Sequence, residues 1–579
     1  MRWVAGRVLA PLVLLVGAAA AVVRYLGWGI GRLAAVRLAA VIENMGKAVG
    51  DEIKRFHQES KSKACDLSSF VDKQQASNPL PGNVPTVFLL ITCGQAVRNF
   101  LVSDVLDLLK RNYNVVILTP YAYSDGFLRE YSSPGVHVLP WFESFRTLSE
   151  RAFQYYFMAT SFSRTHRGWL ANLDDRAKNA ETRRSRYKQL ALMRRLSQVL
   201  GSMIGRRGMQ GLYGSYFMAF LSKAPFDYLF STYRPSLVIS TTSHHAEAWP
   251  LTYFARRRGI KTLANILSWD NTSTKTLMDI SCDYTTVWSE EMQKEFVRQF
   301  PHIKTKLVVT GCPLFDIYSN KPLAQDRQTF LTEIGLDPKK PYILYTTNTP
   351  AAMEDESEIV ARYWEALQAS PLAGRVGMLV RLHPKERFEK YRSLAMAGGT
   401  DLAVTTAARS YWDQSDCWLP NKADIRLLLN SMLHAAVSVN VASTMSLESF
   451  ALGLPTINVA FKPKAGDSSP SMWSFDMYHT SEHYHALVDN GAVDMAYSVE
   501  DLVALTAKAL EQGATRKEAM QLTLALKAAY CDGTASKRFV EVIDEIVQPA
   551  KEKMAVRAGR LKAGAREFSQ LPHTAQPAE

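Results

Sequence analysis

Short apolar runs, each ending in a hydroxyl- or amide-bearing turn and followed by a helical stretch, recur along most of this chain. Residues 86–91 carry no polar alternation after Thr86, and a strand of that kind must be buried on both faces. That is the condition of a parallel strand covered by helices above and below. The turn Thr92-Cys-Gly-Gln95 and a helix through Leu109 follow, then strands over 113–118 and 136–139. The pattern resumes with strand 237–240, a helix over 245–259, strands 261–267 and 284–288, a helix to Phe300 and strand 306–310. A second series opens at 342–345 and continues through 378–382, 402–405, 436–439 and 456–459. Repeated strand, helix, strand predicts an α/β chain built of two doubly wound parallel sheets.

Residues 146–223 interrupt the alternation. They hold fifteen Lys and Arg against Glu150, Asp174, Asp175 and Glu181, lack β-branched runs, and read as a basic helical insertion in the first lobe. A second basic segment is the amino terminus, with Arg2, Arg7, Arg24, Arg32 and Arg37 and no acid. Between Arg7 and Arg24 lies a charge-free apolar run, followed by Tyr25 and Trp28. The run is short of the ~30 Å hydrocarbon core unless 26–30 join it with Arg24 snorkelling. The expected segments are a membrane anchor over 1–32, an amphipathic helix and linker over 33–84, a first lobe over 85–325, a second lobe over 326–548 and a tail over 549–579. A cleaved signal peptide and an in-plane helix are the alternatives for the first segment. The basic insertion is read either as a solvated hairpin or as a surface resting on anionic lipid and receiving an acceptor. No recognised nucleic-acid module accompanies it, so nucleic acid is not an expected partner. Six scattered cysteines without a CxxC pair suggest neither zinc nor a disulfide framework. Walker, HExxH, GxSxG and strand-linked GxGxxG motifs are absent.

In open α/β sheets ligands bind beyond the carboxyl ends of the strands. In the second lobe those ends carry Thr347, Asn348, Arg381, His383, Ser443 and Thr444. Ser443 and Thr444 stand where a helix is predicted to start, so amide N–H groups and two hydroxyls form a seat for phosphate. Glu448, four residues on from Thr444, is placed to accept ribose hydroxyls. His383, held extended by Pro384, is placed to donate to a phosphate oxygen; a structural histidine bonded to backbone is the alternative. These residues resemble the donor lobe of GT-B nucleotide-sugar glycosyltransferases of the bacterial surface-polysaccharide and CDP-glycerol glycerophosphotransferase-like type. Arg381-Leu-His-Pro384 resembles their HP motif, Val309-Thr-Gly-Cys-Pro-Leu-Phe-Asp316 their interdomain junction, and Asp532-Gly-Thr-Ala-Ser-Lys-Arg538 their closing element.

The resemblance implies two Rossmann-like lobes facing a cleft, a nucleotide-activated sugar or polyol phosphate as donor, and a surface-glycan or lipid-linked acceptor. It implies inverting transfer at the cytoplasmic face of a bacterial inner membrane, with neither cofactor nor metal required. For the acceptor-side base the residues leave His245, Glu247 and Asp270 open. Asp270 is favoured, with His245 next, because desolvation beside Trp269 is expected to raise its pKa; a turn or helix-capping Asp is the alternative. His479, His483 and His485 lack the spaced carboxylate or thiolate of a metal site. A UDP-sugar 2-epimerase-like enzyme on the same fold and a non-catalytic glycan-binding scaffold are the rival readings.

Overall fold

The structure is a computed structural model and describes residues 67–141, 163–166, five positions between 205 and 211, 223–350, 353, 356–407, 418–462 and 477–548. The anchor over 1–32, the amphipathic helix, most of the basic insertion and the tail lie outside the described residues. Among the described residues no helix is long and apolar enough to cross a membrane.

Two all-parallel sheets form the molecule. The first has β1 (Thr86–Leu90), β2 (Asn114–Thr119), β3 (Val136–Pro140), β4 (Leu237–Ser240), β5 (Lys261–Asn265), β6 (Tyr284–Val287) and β7 (Lys306–Val309), ordered β3-β2-β1-β4-β5-β6-β7. The second has β8 (Tyr342–Thr346), β9 (Gly377–Leu382), β10 (Leu402–Thr406), β11 (Val437–Asn440), β12 (Thr456–Val459) and β13 (Asp494–Ala496), ordered β10-β9-β8-β11-β12-β13. Both sheets therefore reverse direction once, between β1 and β4 and between β8 and β11. Crevices open at these switch points.

The apolar runs do what their lack of alternation requires. In β1, Val87 and Leu89 enter one core while Phe88 and Leu90 enter the core on the opposite face. In β8, Ile343 and Tyr345 divide from Tyr342 and Leu344 in the same way. The closing helix Ala535–Val547 follows the second sheet in sequence yet packs on the first lobe. Its Phe539 ring lies 5.1 Å from Phe100, and Phe539, Val540 and Ile543 join the β1–β2 core.

Three sequence expectations are corrected. The helix expected to run from the β1 turn through Leu109 is broken: a π-type turn, Val97–Leu101, closes through the Val102 N–H to the Val97 carbonyl at 3.1 Å, and a separate helix starts at Val105. The helix expected over 245–259 begins at Trp249, where Pro250 suits the first turn, so His245 stands on the preceding loop. Strand β13 is too short and polar to have been signalled.

Candidate functional site

The loops leaving β1 and β4 meet at the first switch point. Thr92 Oγ1 lies 2.7 Å from Thr242 Oγ1 and 2.9 Å from His245 Nδ1. The Glu247 carboxylate is 3.2 Å from the same nitrogen. A carboxylate only accepts, so a proton on Nδ1 satisfies this contact. The neighbouring His244 is also at the mouth of the sheet, but burial pushes its pKa well down and its Nδ1 has no partner.

The second switch point gathers the donor-side residues. The His383 N–H donates to Thr347 Oγ1 at 2.8 Å, and the Thr347 N–H donates to the Arg381 carbonyl at 3.1 Å. Asn348 crosses the crevice from β8 to the β11 loop, its Nδ2 donating to the Val441 carbonyl at 2.8 Å. Beneath it the buried Glu356 accepts from the Asn348 N–H at 2.7 Å and from Tyr345 Oη at 3.1 Å. Burial pushes that carboxyl up to about 8. The Lys385 N–H donates to His383 Nδ1 at 3.1 Å, which places the ring proton on Nε2. Burial, then Lys385, pushes the His383 pKa down to about 4. His383 is thus a neutral Nε2–H donor.

The helix predicted at Ser443 is short, Met445–Ala451, and most of the amides before it are already bonded. The Ala442 N–H donates to Tyr478 Oη at 2.8 Å, the Ser443 N–H to Asn440 Oδ1 at 3.3 Å and the Met445 N–H to Ser443 Oγ at 3.3 Å. Among the described residues the Thr444 N–H is the amide of this turn left for a ligand. Ala442 holds φ +33°, so the loop turns through the left-handed region to form this corner. The Thr444 hydroxyl accepts from Trp269 Nε1 at 3.1 Å, a bond from the first lobe to the second.

Two expected roles meet occupied groups. Glu448 is 1% exposed and accepts from Tyr318 Oη, with Arg98 Nη1 at 3.5 Å. Arg381 is also buried, its Nη2 donating to Asp424 Oδ1 at 3.1 Å. Asp270 departs from the expected raised pKa. Burial pushes it up, but His483, Lys275 and the Ser268 and Thr274 bonds together bring it below its ordinary value. His483 is itself held neutral, pushed down to about 4 chiefly by burial, so Lys275 and the hydroxyl donors supply the lasting attraction. Asp270 Oδ2 accepts from the Thr274 hydroxyl at 2.7 Å, and its carboxylate caps no backbone N–H of the short helix it opens. His483 packs at 5.2 Å from Trp269 and 3.2 Å from Ser273 Oγ, while His479 is exposed and His485 lies beside Asp489. Among the described residues no group of three or more His, Cys, Asp or Glu is placed to hold a metal ion.

Sequence reading gave Arg98 no role and passed over Trp418 and Tyr318, which link the lobes, and Asp424, which ties Trp418 to Arg381 within the second lobe. Arg98 had a signal, since it ends the turn after β1; the others are visible only once the lobes are docked.

Two doubly wound parallel-sheet lobes, with a carboxy-terminal helix that returns to the first, are the Rossmann-like arrangement the sequence resemblance implied. Residues 244–395 match the family model for CDP-glycerol:poly(glycerophosphate) glycerophosphotransferase, a segment that contains His245, Asp270, Thr347, Asn348, Arg381 and His383. Among solved structures, a UDP-GlcNAc 2-epimerase from Neisseria meningitidis is similar at 12% identity, over 79% of this chain and 99% of that one, with a TM-score of 0.44. A glycosyltransferase from Rickettsia africae is similar at 10% identity, over 80% and 99%, with a TM-score of 0.43. An α,α-trehalose-phosphate synthase from Burkholderia vietnamiensis is similar at 11% identity, over 82% and 99%, with a TM-score of 0.40. No curated protein matches the chain by sequence.

Proposed function

We propose that the chain moves a sugar or a polyol phosphate from a nucleotide-activated donor to a hydroxyl of a surface-glycan or lipid-linked acceptor. The observation that carries this reading is the pair of histidines at the two switch points, His245 with Nδ1 against Glu247 and Thr92, and His383 with Nδ1 accepting from the Lys385 amide. His245, oriented by Glu247 and Thr92, offers Nε2 as a base. His383, oriented by the Lys385 amide, offers Nε2–H as a donor that stays neutral at working pH. In the proposed step the acceptor oxygen attacks the sugar carbon or the phosphorus while His245 takes its proton. The bond to the nucleotide phosphate breaks, and the departing charge is met by His383 Nε2–H and the Thr444 N–H. Ser443, Thr347 and Asn348 shape that pocket, and Glu448 would hold the ribose. His245 replaces Asp270 as the preferred base, since Asp270 is held in its ionised, weakly basic form by its bonding partners.

The domain partition over 85–325 and 326–548, the anchor over 1–32, the cytoplasmic face of a bacterial inner membrane, an inverting outcome and catalysis without cofactor or metal belong to the same proposal. The resemblance and the basic amino-terminal segments support them. The test is His245→Ala in purified protein, with a thermal-shift screen of cytidine and uridine nucleotides beside an acceptor-dependent release assay. The expected result is retained nucleotide stabilisation with transfer lowered by about 100-fold or more. Unchanged turnover would remove His245 from the chemistry. Isomerised sugar from donor alone would favour the epimerase reading, and no nucleotide binding would favour the scaffold.

A further inference from the structure

The π-type turn after β1 carries an extra residue, and its side chains face inward: Arg98 is 9% and Asn99 1% exposed. Asn99 Nδ2 donates to the Leu267 carbonyl at 3.2 Å and anchors the turn within its own lobe. Arg98 instead reaches across the seam. Its guanidinium lies 5.6 Å from the Trp418 ring, and its Nη1 is 3.5 Å from Glu448 Oε1, longer than the 2.7–2.9 Å of a well-made charge-assisted bond. Its Nε is buried with no partner. Arg381, on the second lobe, repeats the pattern: Nη2 is bonded to Asp424, while Nη1 is buried with no partner. Trp418 ties the two arginines together, its Nε1 donating to Asp424 Oδ2 at 3.2 Å. Tyr318 Oη donates to Glu448, the carboxylate that faces Arg98. Burial, then Glu448, raises its hydroxyl pKa, and Arg98 and Arg381 both pull against that rise. Each of the two buried guanidiniums thus keeps an N–H unsatisfied, at a cost that an anion would remove.

We propose that Arg98 and Arg381 form a two-lobe clamp for the phosphate of a nucleoside phosphate, and that Glu448 holds Arg98 in reserve until that ligand arrives. On binding, the Arg98 guanidinium leaves the carboxylate for the phosphate, Arg381 Nη1 gains the same partner, and Glu448 is released to accept ribose hydroxyls while keeping Tyr318. Because Arg98 belongs to the first lobe and the ribose carboxylate to the second, the exchange draws the lobes together only when both parts of the ligand are present. The inference rests on the donor-lobe reading above and assigns Arg98 the role of a phosphate-binding residue.

The test is isothermal titration of the full chain with cytidine and uridine, CMP, CDP and UDP, and inorganic pyrophosphate. The wild type, Arg98→Met, Arg98→Lys and Glu448→Gln are compared after their unliganded melting points are matched. Arg98→Met is expected to weaken nucleoside diphosphate binding about tenfold or more, leave the unphosphorylated nucleoside unchanged, and be partly rescued by Arg98→Lys. Glu448→Gln, which frees Arg98, is expected to tighten pyrophosphate binding severalfold while weakening the nucleoside. If Arg98→Met lowers nucleoside and diphosphate affinity by the same factor, or neither, Arg98 is only a brace between lobes and the proposal is overturned. Should Arg98→Met fail to fold, unchanged pyrophosphate affinity in Glu448→Gln overturns it equally. A wild-type protein that binds no nucleoside phosphate overturns the donor-lobe reading itself, a separate failure.

Discussion

A single backbone amide decides what His383 can do. By donating to Nδ1, the Lys385 N–H leaves the only ring proton on Nε2, and burial keeps the ring uncharged down to about pH 4. His383→Asn places an amide oxygen near the Nδ1 position and removes the Nε2 donor. The turn should survive with a melting point close to wild type, while turnover falls by about 100-fold or more; steady-state kinetics beside thermal unfolding read both. Glu356 makes a second prediction at this scale. Its pKa is raised to about 8 from an ordinary 4.5, mainly by burial. Between those values the unfolded chain ionises the group and the folded chain does not, so its contribution to stability falls as pH rises through the window and levels off above it. Glu356→Gln should flatten that slope; urea unfolding midpoints at pH 5 and pH 8 should differ less in the variant than in wild type. Both histidines of the proposed chemistry were legible as strand-end residues, because position at a carboxyl end follows from strand order alone. Their tautomers were not, since each depends on which atom of another residue stands beside Nδ1.

Elements were legible in proportion to how strongly local physics dictates them. Continuous apolar runs such as β1 and β8 could only be doubly covered strands, and β4 and β12 span Leu237–Ser240 and Thr456–Val459, the bounds expected from the sequence. The turn after β1 was legible as a turn but not in its π geometry, which is stabilised by what it packs on. Gly94, which opens that turn, shows the same constraint. A Cβ there would sit 2.0 Å from the Trp418 carbonyl oxygen and 3.2 Å from Pro420, both on the opposite lobe. Gly94→Ala should force the seam apart and cost about 1–3 kcal/mol. A lowered melting point with reduced nucleotide stabilisation is the expected reading; an unchanged melting point would mean that the seam yields freely. The turn at 441–445 was read from its hydroxyls as a phosphate seat, yet the chain folds most of its amides back on itself. A run of Ser and Thr shows donors and acceptors without showing which are already used.

At the scale of the whole molecule, the lobes share structure that neither would own alone. One core runs through the junction, from Trp288, Phe315 and Tyr318 of the first lobe's closing segment to Leu447, Phe450 and Tyr484 of the second. The closing helix returns to the first lobe, where the Tyr113 hydroxyl donates to Asp544. Phe539→Ala should therefore destabilise the first lobe by about 3–5 kcal/mol although the residue follows the second in sequence. Hydrogen exchange of β1 and β2 amides should rise more than that of β8 and β9, and equal rises would contradict the assignment. The sequence by itself determined the α/β class, the two strand series and the strand-end residues, because burial of unbroken apolar runs and helix-start chemistry are local properties. Only the tertiary structure decided that Asp270 is bonded below its ordinary pKa, that Glu448 faces Arg98 and Tyr318, and that His245 Nδ1 faces Glu247 while His383 Nδ1 accepts a backbone amide. Each of those follows from distances between atoms far apart in the chain, and no residue's own neighbours along the backbone record them.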